Sequence, residues 1–177
     1  HRRGHLGDIA RDLEALLREL NIGRLLDAGC GDFNWLPSFD LGAIQVVGVD
    51  IVPELISANR KRYPEVDFLV ADIVSDPLPK VDLILCRDAL VHLPNADVMR
   101  ALANFRRSGA AWLLTNTFVF HDHNADIVPG SWRPINLQLP PFDLAAPSRT
   151  VDERCLGCEG IYRDKRLGLW QCCMLPT

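Results

Sequence analysis

An acid and two glycines at alternate positions, Asp27-Ala-Gly29-Cys-Gly31, follow directly on the apolar pair Leu25-Leu26. A second apolar run, Gln45-Val-Val-Gly-Val-Asp50, ends in another acid. Glycine carries no Cβ, so a turn built on Gly29 and Gly31 lets backbone approach a ligand closely. Asp50 can accept two hydrogen bonds from vicinal hydroxyls, and a carboxylate is the wrong partner for a 2′-phosphate. A strand, a close-approach loop and a carboxylate at the tip of the next strand are how an open α/β sheet holds a nucleoside. A dinucleotide loop wants a third glycine, which counted from Gly29 falls at Asn34. The NAD reading therefore lacks the glycine that packs helix against strand.

Such residues act only if a sheet brings them together, and the rest of the chain supplies one. Leu6, Ile9, Leu13, Leu16, Leu17 and Leu20 share one helical face, which predicts a helix over 6–20 within an N-terminal segment, residues 1–22. Strands are predicted at 24–28, 45–50, 67–71, 81–86 and 111–118. Pro53 suits the first turn of a helix that stops by Tyr63-Pro64. Asp76-Pro-Leu-Pro79 is too rich in turn residues for a helix. After Pro94-Asn95, a helix presents Val98, Ala101, Leu102 and Phe105 on one face and ends at Gly109. Residues 121–147 hold five prolines without helical period and read as a long ordered loop or a lid. A last strand is predicted at 167–174, with a short strand near Thr150–Arg154 able to pair with it. The expected fold is α/β: a Rossmann-like open twisted sheet, mainly parallel with a C-terminal antiparallel strand, helices on both faces, in one domain spanning 1–177.

Over residues 20–120 the chain resembles the class I methyltransferases that use S-adenosylmethionine (SAM). The resemblance rests on Asp27-Ala-Gly29-Cys30-Gly31, on Asp50, on Asp72-Ile73 and on Cys86-Arg87-Asp88. It implies a seven-stranded sheet, SAM as methyl donor and S-adenosylhomocysteine (SAH) as product. It also implies that Asp50, with Ile51 beside it, holds the ribose, that Asp72 meets the adenine amino group, and that Ile73 lines the adenine pocket. Cys86 and Arg87 would face the methionine end of the donor. Phe33 stands where the fuller motif has its third glycine, so the turn is expected to differ there. Asp32 is a partner either for its own loop or for the donor's amino end, and Phe33 and Trp35 read more as loop packing than as stacking on a ligand.

Catalytic candidates follow strand 4. His92 has a side chain whose ordinary pKa near neutrality suits proton removal, and Asp88 is its rival. His121, Trp132 and Arg133 are the substrate-binding candidates, because an indole and a guanidinium can grip a planar or anionic acceptor. The compact chain favours a small molecule, or the end of a saccharide or peptide-like product. A SAM- or SAH-binding module without catalysis is the alternative, and the acceptor side discriminates the two.

Bulk properties narrow the partners. The chain has 177 residues, 48% hydrophobic, with net charge −4, which argues against nucleic acid. Only Arg100, Arg106 and Arg107 cluster, and a helix end explains them. The run of acid or amide, two prolines and an aromatic carried by amino-group nucleic-acid methyltransferases is replaced by Cys86-Arg-Asp-Ala89. No apolar run reaches the ~18–20 residues that span a bilayer, so no membrane partner is expected. Cysteines at 30, 86, 155, 158, 172 and 173 read as reduced thiols of a cytoplasmic chain. Cys155-Leu-Gly-Cys158 has zinc-ligand spacing, but Cys172 and Cys173 would point to opposite faces of a strand, so no metal is expected. His121-Asp-His123 also has metal-pair spacing and reads as an exposed polar loop.

Overall fold

The computed structural model describes residues 2–153 and 162–177, with side chains from Ile9 onward. Helix α1 (Arg2–Glu19) starts four residues before the predicted onset and buries Ile9, Leu13, Leu16 and Leu17. Strands β1 (Arg24–Ala28), β2 (Gln45–Asp50) and β3 (Asp67–Val70) follow, with helix α2 (Pro53–Arg62) between β2 and β3. Pro53 opens α2, where a missing N–H costs nothing. Then come β4 (Leu83–Cys86), helix α3 (Asn95–Arg107), β5 (Trp112–Phe118), β6 (Arg149–Asp152) and β7 (Lys165–Gln171).

The seven strands form one sheet in the order β3-β2-β1-β4-β5-β7-β6. β1 to β5 are parallel, and β7 runs antiparallel to both β5 and β6. The short strand before β7 pairs with it as the sequence suggests, Val151 opposite Leu167. Two of the departures from the predicted strand ranges have a physical reason. β4 begins at Leu83 because the carboxylate of Asp82 is occupied, accepting from the N–H groups of Gly23 and Arg24 at 2.8 Å each. β7 ends at Gln171, and Cys172–Met174 turns into one 3-10 coil that buries Cys172 and exposes Cys173.

Side-chain alternation along the strands sorts the core into two layers. Leu25, Leu83, Leu85 and Leu114 face α1, α2 and the segment around Phe33, Leu36 and Phe39. Leu26, Ile84 and Leu113 face the opposite layer, where α3 contributes Val98, Ala101, Leu102 and Phe105. That second layer also contains Ile135, Leu137, Phe142 and Leu144, all buried. The inner part of the proline-rich segment is thus a packing layer, with each buried Leu or Phe stabilising it by about 1.5–3 kcal/mol. Asn124 holds this irregular backbone: its amide donates to the carbonyls of Asn136 and Pro140 at 2.9 Å, and its Oδ1 accepts from the N–H of Asn136 at 2.8 Å. No helix among the described residues is long and apolar enough to cross a membrane.

Candidate functional site

The carboxyl tips of β1 to β4 converge on one cleft of about 330 Å³, lined by Gly29, Asp50, Ile51, Asp72, Ile73, Asp88 and His92 among others. Ligands of open α/β sheets sit in this position, where strand order reverses about β1 and β4. Backbone geometry builds the first wall. Gly29 adopts φ +82°, and a Cβ there would lie 2.7 Å from the Cβ of Ala89 in the loop after β4. Gly31 adopts φ +53°, and a Cβ there would meet nothing within 4 Å. One glycine therefore lets two loops touch, and the other leaves open space for a ligand. Phe33 also takes a positive φ, 54°. That conformation is uncommon for a bulky residue, and here the ring is buried edge-on against Tyr63 and Phe68, with centroids 5.2 and 5.0 Å away.

Asp50 is pinned at the rim of the cleft. Its Oδ2 accepts from the N–H of Gly31 at 2.9 Å and its Oδ1 from the N–H of Val52 at 3.0 Å. Each oxygen keeps a further lone pair for a ligand. Ile51 stands beside it, 61% exposed. Asp72 closes its own turn, accepting from the N–H of Val74 at 2.8 Å and from the Ser75 hydroxyl at 3.3 Å. Ile73 is buried beneath. Asp32 bonds within its loop, to the N–H and side-chain amide of Asn34. Cys30 and Cys86 are buried thiols pushed up to about 12, in each case chiefly by burial. They contribute backbone and packing here rather than thiolate chemistry.

Asp27 is the most perturbed carboxyl of the site. Burial raises its pKa to about 7; nearby Arg87 pulls the value down and Asp50 pushes it up. A buried carboxyl in this state gains if a cationic ligand lies beside it.

The second wall is ionic. Arg87 donates through Nε to Glu153 at 2.9 Å and pairs with Asp88 at 3.1 Å. Lys165 Nζ lies 2.6 Å from Asp88 Oδ1 and 2.7 Å from Glu153 Oε2. Asn116 joins the group, donating to Glu153 at 3.1 Å and accepting from the N–H of Asp88. Glu153 and Lys165 are buried, and two cations balance two carboxylates, which makes the burial tolerable. The guanidinium of Arg87 also lies 4.4 Å from the ring centroid of Trp35. Asp88 adopts φ +57°, an unusual backbone held by these bonds on both its carboxylate and its N–H.

His92 is exposed at the mouth of the cleft. Its Nδ1 lies 3.0 Å from the carbonyl of Ser131. A carbonyl only accepts, so Nδ1 carries the proton and Nε2 is the basic nitrogen. Next in the chain, Trp132 and Arg133 part company. Trp132 is 42% exposed and packs against Phe118 and Tyr162. Arg133 is buried, and its five N–H donors all have acceptors: the carbonyls of Ala125, Leu90, Val91 and Leu93 and the side chain of Asn95. The expectation that Arg133 grips an acceptor is corrected here, because the guanidinium is fully committed to holding the loop after β4 against the 125–133 segment. His121 borders a separate cavity beside Phe118. Its ring stacks on His123, which bonds Asp122 at 2.6 Å. No group of three metal-ligating side chains occurs among the described residues, and Cys155 and Cys158 lie outside them.

Residues 25–109 match a methyltransferase domain family. Over those residues the chain is similar to the class I SAM-dependent methyltransferases. Among curated proteins it is similar to magnesium-protoporphyrin O-methyltransferase from Rhodobacter capsulatus, 30% identical over 58% of this chain and 49% of that protein. The chain spans about half the length of the curated relatives it matches. A SAM-bound amino pentose methyltransferase of calicheamicin biosynthesis from Micromonospora echinaspora superimposes with TM-score 0.55 at 26% identity, over 62% of this chain and 50% of that one. In fold the chain is also similar to SAM-bound magnesium protoporphyrin IX methyltransferase from Synechocystis, with TM-score 0.65 at 17% identity over 95% of this chain and 79% of that one.

Sequence reasoning missed Asn116, Glu153 and Lys165. The nearest signal was a lysine at the start of an apolar strand and an acid at the end of a short one, which local pattern reads as solvated charges. Only the pairing of β6 with β7, and of β7 with β5, places them beside Arg87.

Proposed function

We propose that this domain binds SAM in the cleft at the tips of β1 to β4 and transfers its methyl group to a small-molecule acceptor. One observation carries the reading: Asp50, fixed at the rim by two backbone N–H groups, stands between open space over Gly31 and the apolar surfaces of Ile51 and Ile73. That arrangement fits a nucleoside, with ribose hydroxyls on Asp50, adenine between Ile51 and Ile73, and Asp72 at its amino edge. Asp27 and the Gly29–Gly31 turn, with Cys86 and Arg87 behind, fit the amino-acid end, whose ammonium would answer the buried carboxyl of Asp27.

When bound, SAM supplies a methyl group on a cationic sulfur, so that the C–S bond breaks as the acceptor's bond to carbon forms and the electron pair stays on sulfur. The protein's task is alignment and exclusion of water. His92 lines the cleft, and its Nε2 accepts the proton of an acceptor O–H or N–H. Both oxygens of Asp88 are engaged, by Lys165 and Arg87, so Asp88 positions the loop rather than taking that proton. An open His92 favours an enzyme over a binding module. Free, buried Cys30, Cys86 and Cys172 support a reducing, cytoplasmic setting.

The test is turnover of methyl-labelled SAM with a panel of small acceptors. His92→Asn should slow transfer by about 100-fold or more while leaving SAH affinity within about threefold, as fits a change of ~0.6 kcal/mol. Full activity in that variant would remove His92 from the mechanism, and absence of SAH binding to the wild-type chain would remove the donor assignment.

A further inference from the structure

Beyond the tip of β5 lies a second cavity of about 580 Å³, walled by Phe118, Phe120 and Tyr162 and rimmed by His121, Arg163 and Asp164. Trp132 packs against two of its walls, Phe118 and Tyr162. Phe118, Trp132 and Tyr162 form a mutual edge-on triad with centroids 5.1 to 6.1 Å apart. Each such contact spends one ring's edge on another ring's face, so what remains for a further partner is the exposed surface of Trp132 and of the neighbouring Phe120. Phe120 is 79% exposed and Trp132 is 42% exposed, a gathering of apolar surface that marks an interaction site more often than plain surface.

The backbone beneath these rings is fixed. The N–H of Val119 donates to the carbonyl of Asp164 at 3.2 Å, and that of Phe120 donates to its carboxylate at 3.0 Å. On the other side, the five bonds of Arg133 immobilise the residue next to Trp132. A pocket with a rigid frame needs no ordering when its ligand arrives. A short bridge of contacts links the cavity wall to the donor cleft: the carbonyl that holds His92 Nδ1 belongs to Ser131, and the next residue, Trp132, packs against Phe118 and Tyr162. His92, which lines the cleft, is thus tied to the segment that carries Trp132. At the outer rim, Arg163 is exposed and supplies a positive charge.

We propose that this cavity is the acceptor subsite and that it takes a flat aromatic compound carrying an anionic substituent, with its rings on Trp132 and Phe120 and its negative group toward Arg163. This rests on the donor reading of the first cleft. A saccharide would need polar partners around its hydroxyls, whereas the walls here are mostly ring.

The probe is 6-hydroxy-2-naphthoate, with 2-naphthol and methyl α-glucoside beside it, titrated into the SAH-saturated chain by saturation-transfer NMR and tryptophan fluorescence. The naphthoate should bind, and Trp132→Ala and Phe120→Ala should each weaken it about tenfold, as loss of a ring contact predicts. Arg163→Ala should weaken the naphthoate but not 2-naphthol. Both rings are exposed, so these variants should fold, and their SAH affinity reports that directly. Binding of methyl α-glucoside with equal or greater affinity, or indifference of naphthoate binding to both ring deletions, overturns the proposal. SAH binding without naphthoate binding overturns this inference and leaves the donor reading intact. Naphthoate binding without SAH binding overturns the donor reading and with it the acceptor role of this cavity.

Discussion

Two walls face each other across the strand tips, and they are built on opposite principles. The wall from β1 to β3 is made of backbone: two glycines in the left-handed region, one turn, and one carboxylate tied to its own loops. The wall from β4 to β7 is made of side chains from distant parts of the chain, Arg87 and Asp88 with Glu153 and Lys165, and Arg133 with the loop after β4. Local geometry suffices for a ligand that is the same in every turnover. A wall assembled from long-range ion pairs and a proline-rich segment can be varied without disturbing the first. The comparison teaches that the two walls are structurally separable, and on the proposed reading donor and acceptor handling separate with them.

That separability is open to attack. Arg133→Met would remove five hydrogen bonds, of whose acceptors only the Leu90 and Val91 carbonyls keep a backbone N–H partner, so unfolding free energy should fall by about 4 kcal/mol, measured by urea titration. In the fraction still folded, SAH affinity should change by less than about threefold, under ~1 kcal/mol; a collapse of SAH binding would show that the two walls are one unit. Asp50→Ala strikes the other wall. It should weaken SAH by about 10- to 100-fold, the loss of hydrogen bonds to a charged group, while naphthoate binding persists.

The smallest of the expected effects concerns pH. Asp27 has a folded value of about 7 against an ordinary 3.8. Between those limits the folded protein holds more protons than the unfolded chain, so Asp27 makes stability fall as pH rises through that window, and Asp27→Asn should flatten the slope. A cationic ligand end beside Asp27 favours the ionised carboxyl, so SAH should bind up to about tenfold more tightly at pH 8 than at pH 6. Calorimetry in buffers of different ionisation enthalpy would detect the released proton, and an unchanged affinity in both the parent and Asp27→Asn would place the ammonium elsewhere.

The same division explains what could be read in the sequence. Gly29, Gly31 and Asp50 sit within contiguous strand–turn segments, so their convergence on one cleft region could be read from spacing alone. The parallel strands and α3 were legible because apolar periodicity is a local signal. Glu153 and Lys165 were not, since their meaning arises only when β7 inserts between β5 and β6. Arg133 was misread for a related reason. A guanidinium in an irregular segment looks available until the chain returns past residues 90–95 and supplies every acceptor it needs. The segment over 121–147 was read as loop or lid because its prolines hide a buried set, Ile135, Leu137, Phe142 and Leu144, that follows neither helical nor strand period.

The most direct test of the account is a crystal structure of the chain with SAH. The nucleoside should lie across Gly31, its ribose on Asp50 and its base between Ile51 and Ile73, with the sulfur directed past Asp88 toward His92. A nucleoside bound away from Asp50, or a cleft that SAH leaves empty at saturating concentration, would contradict it.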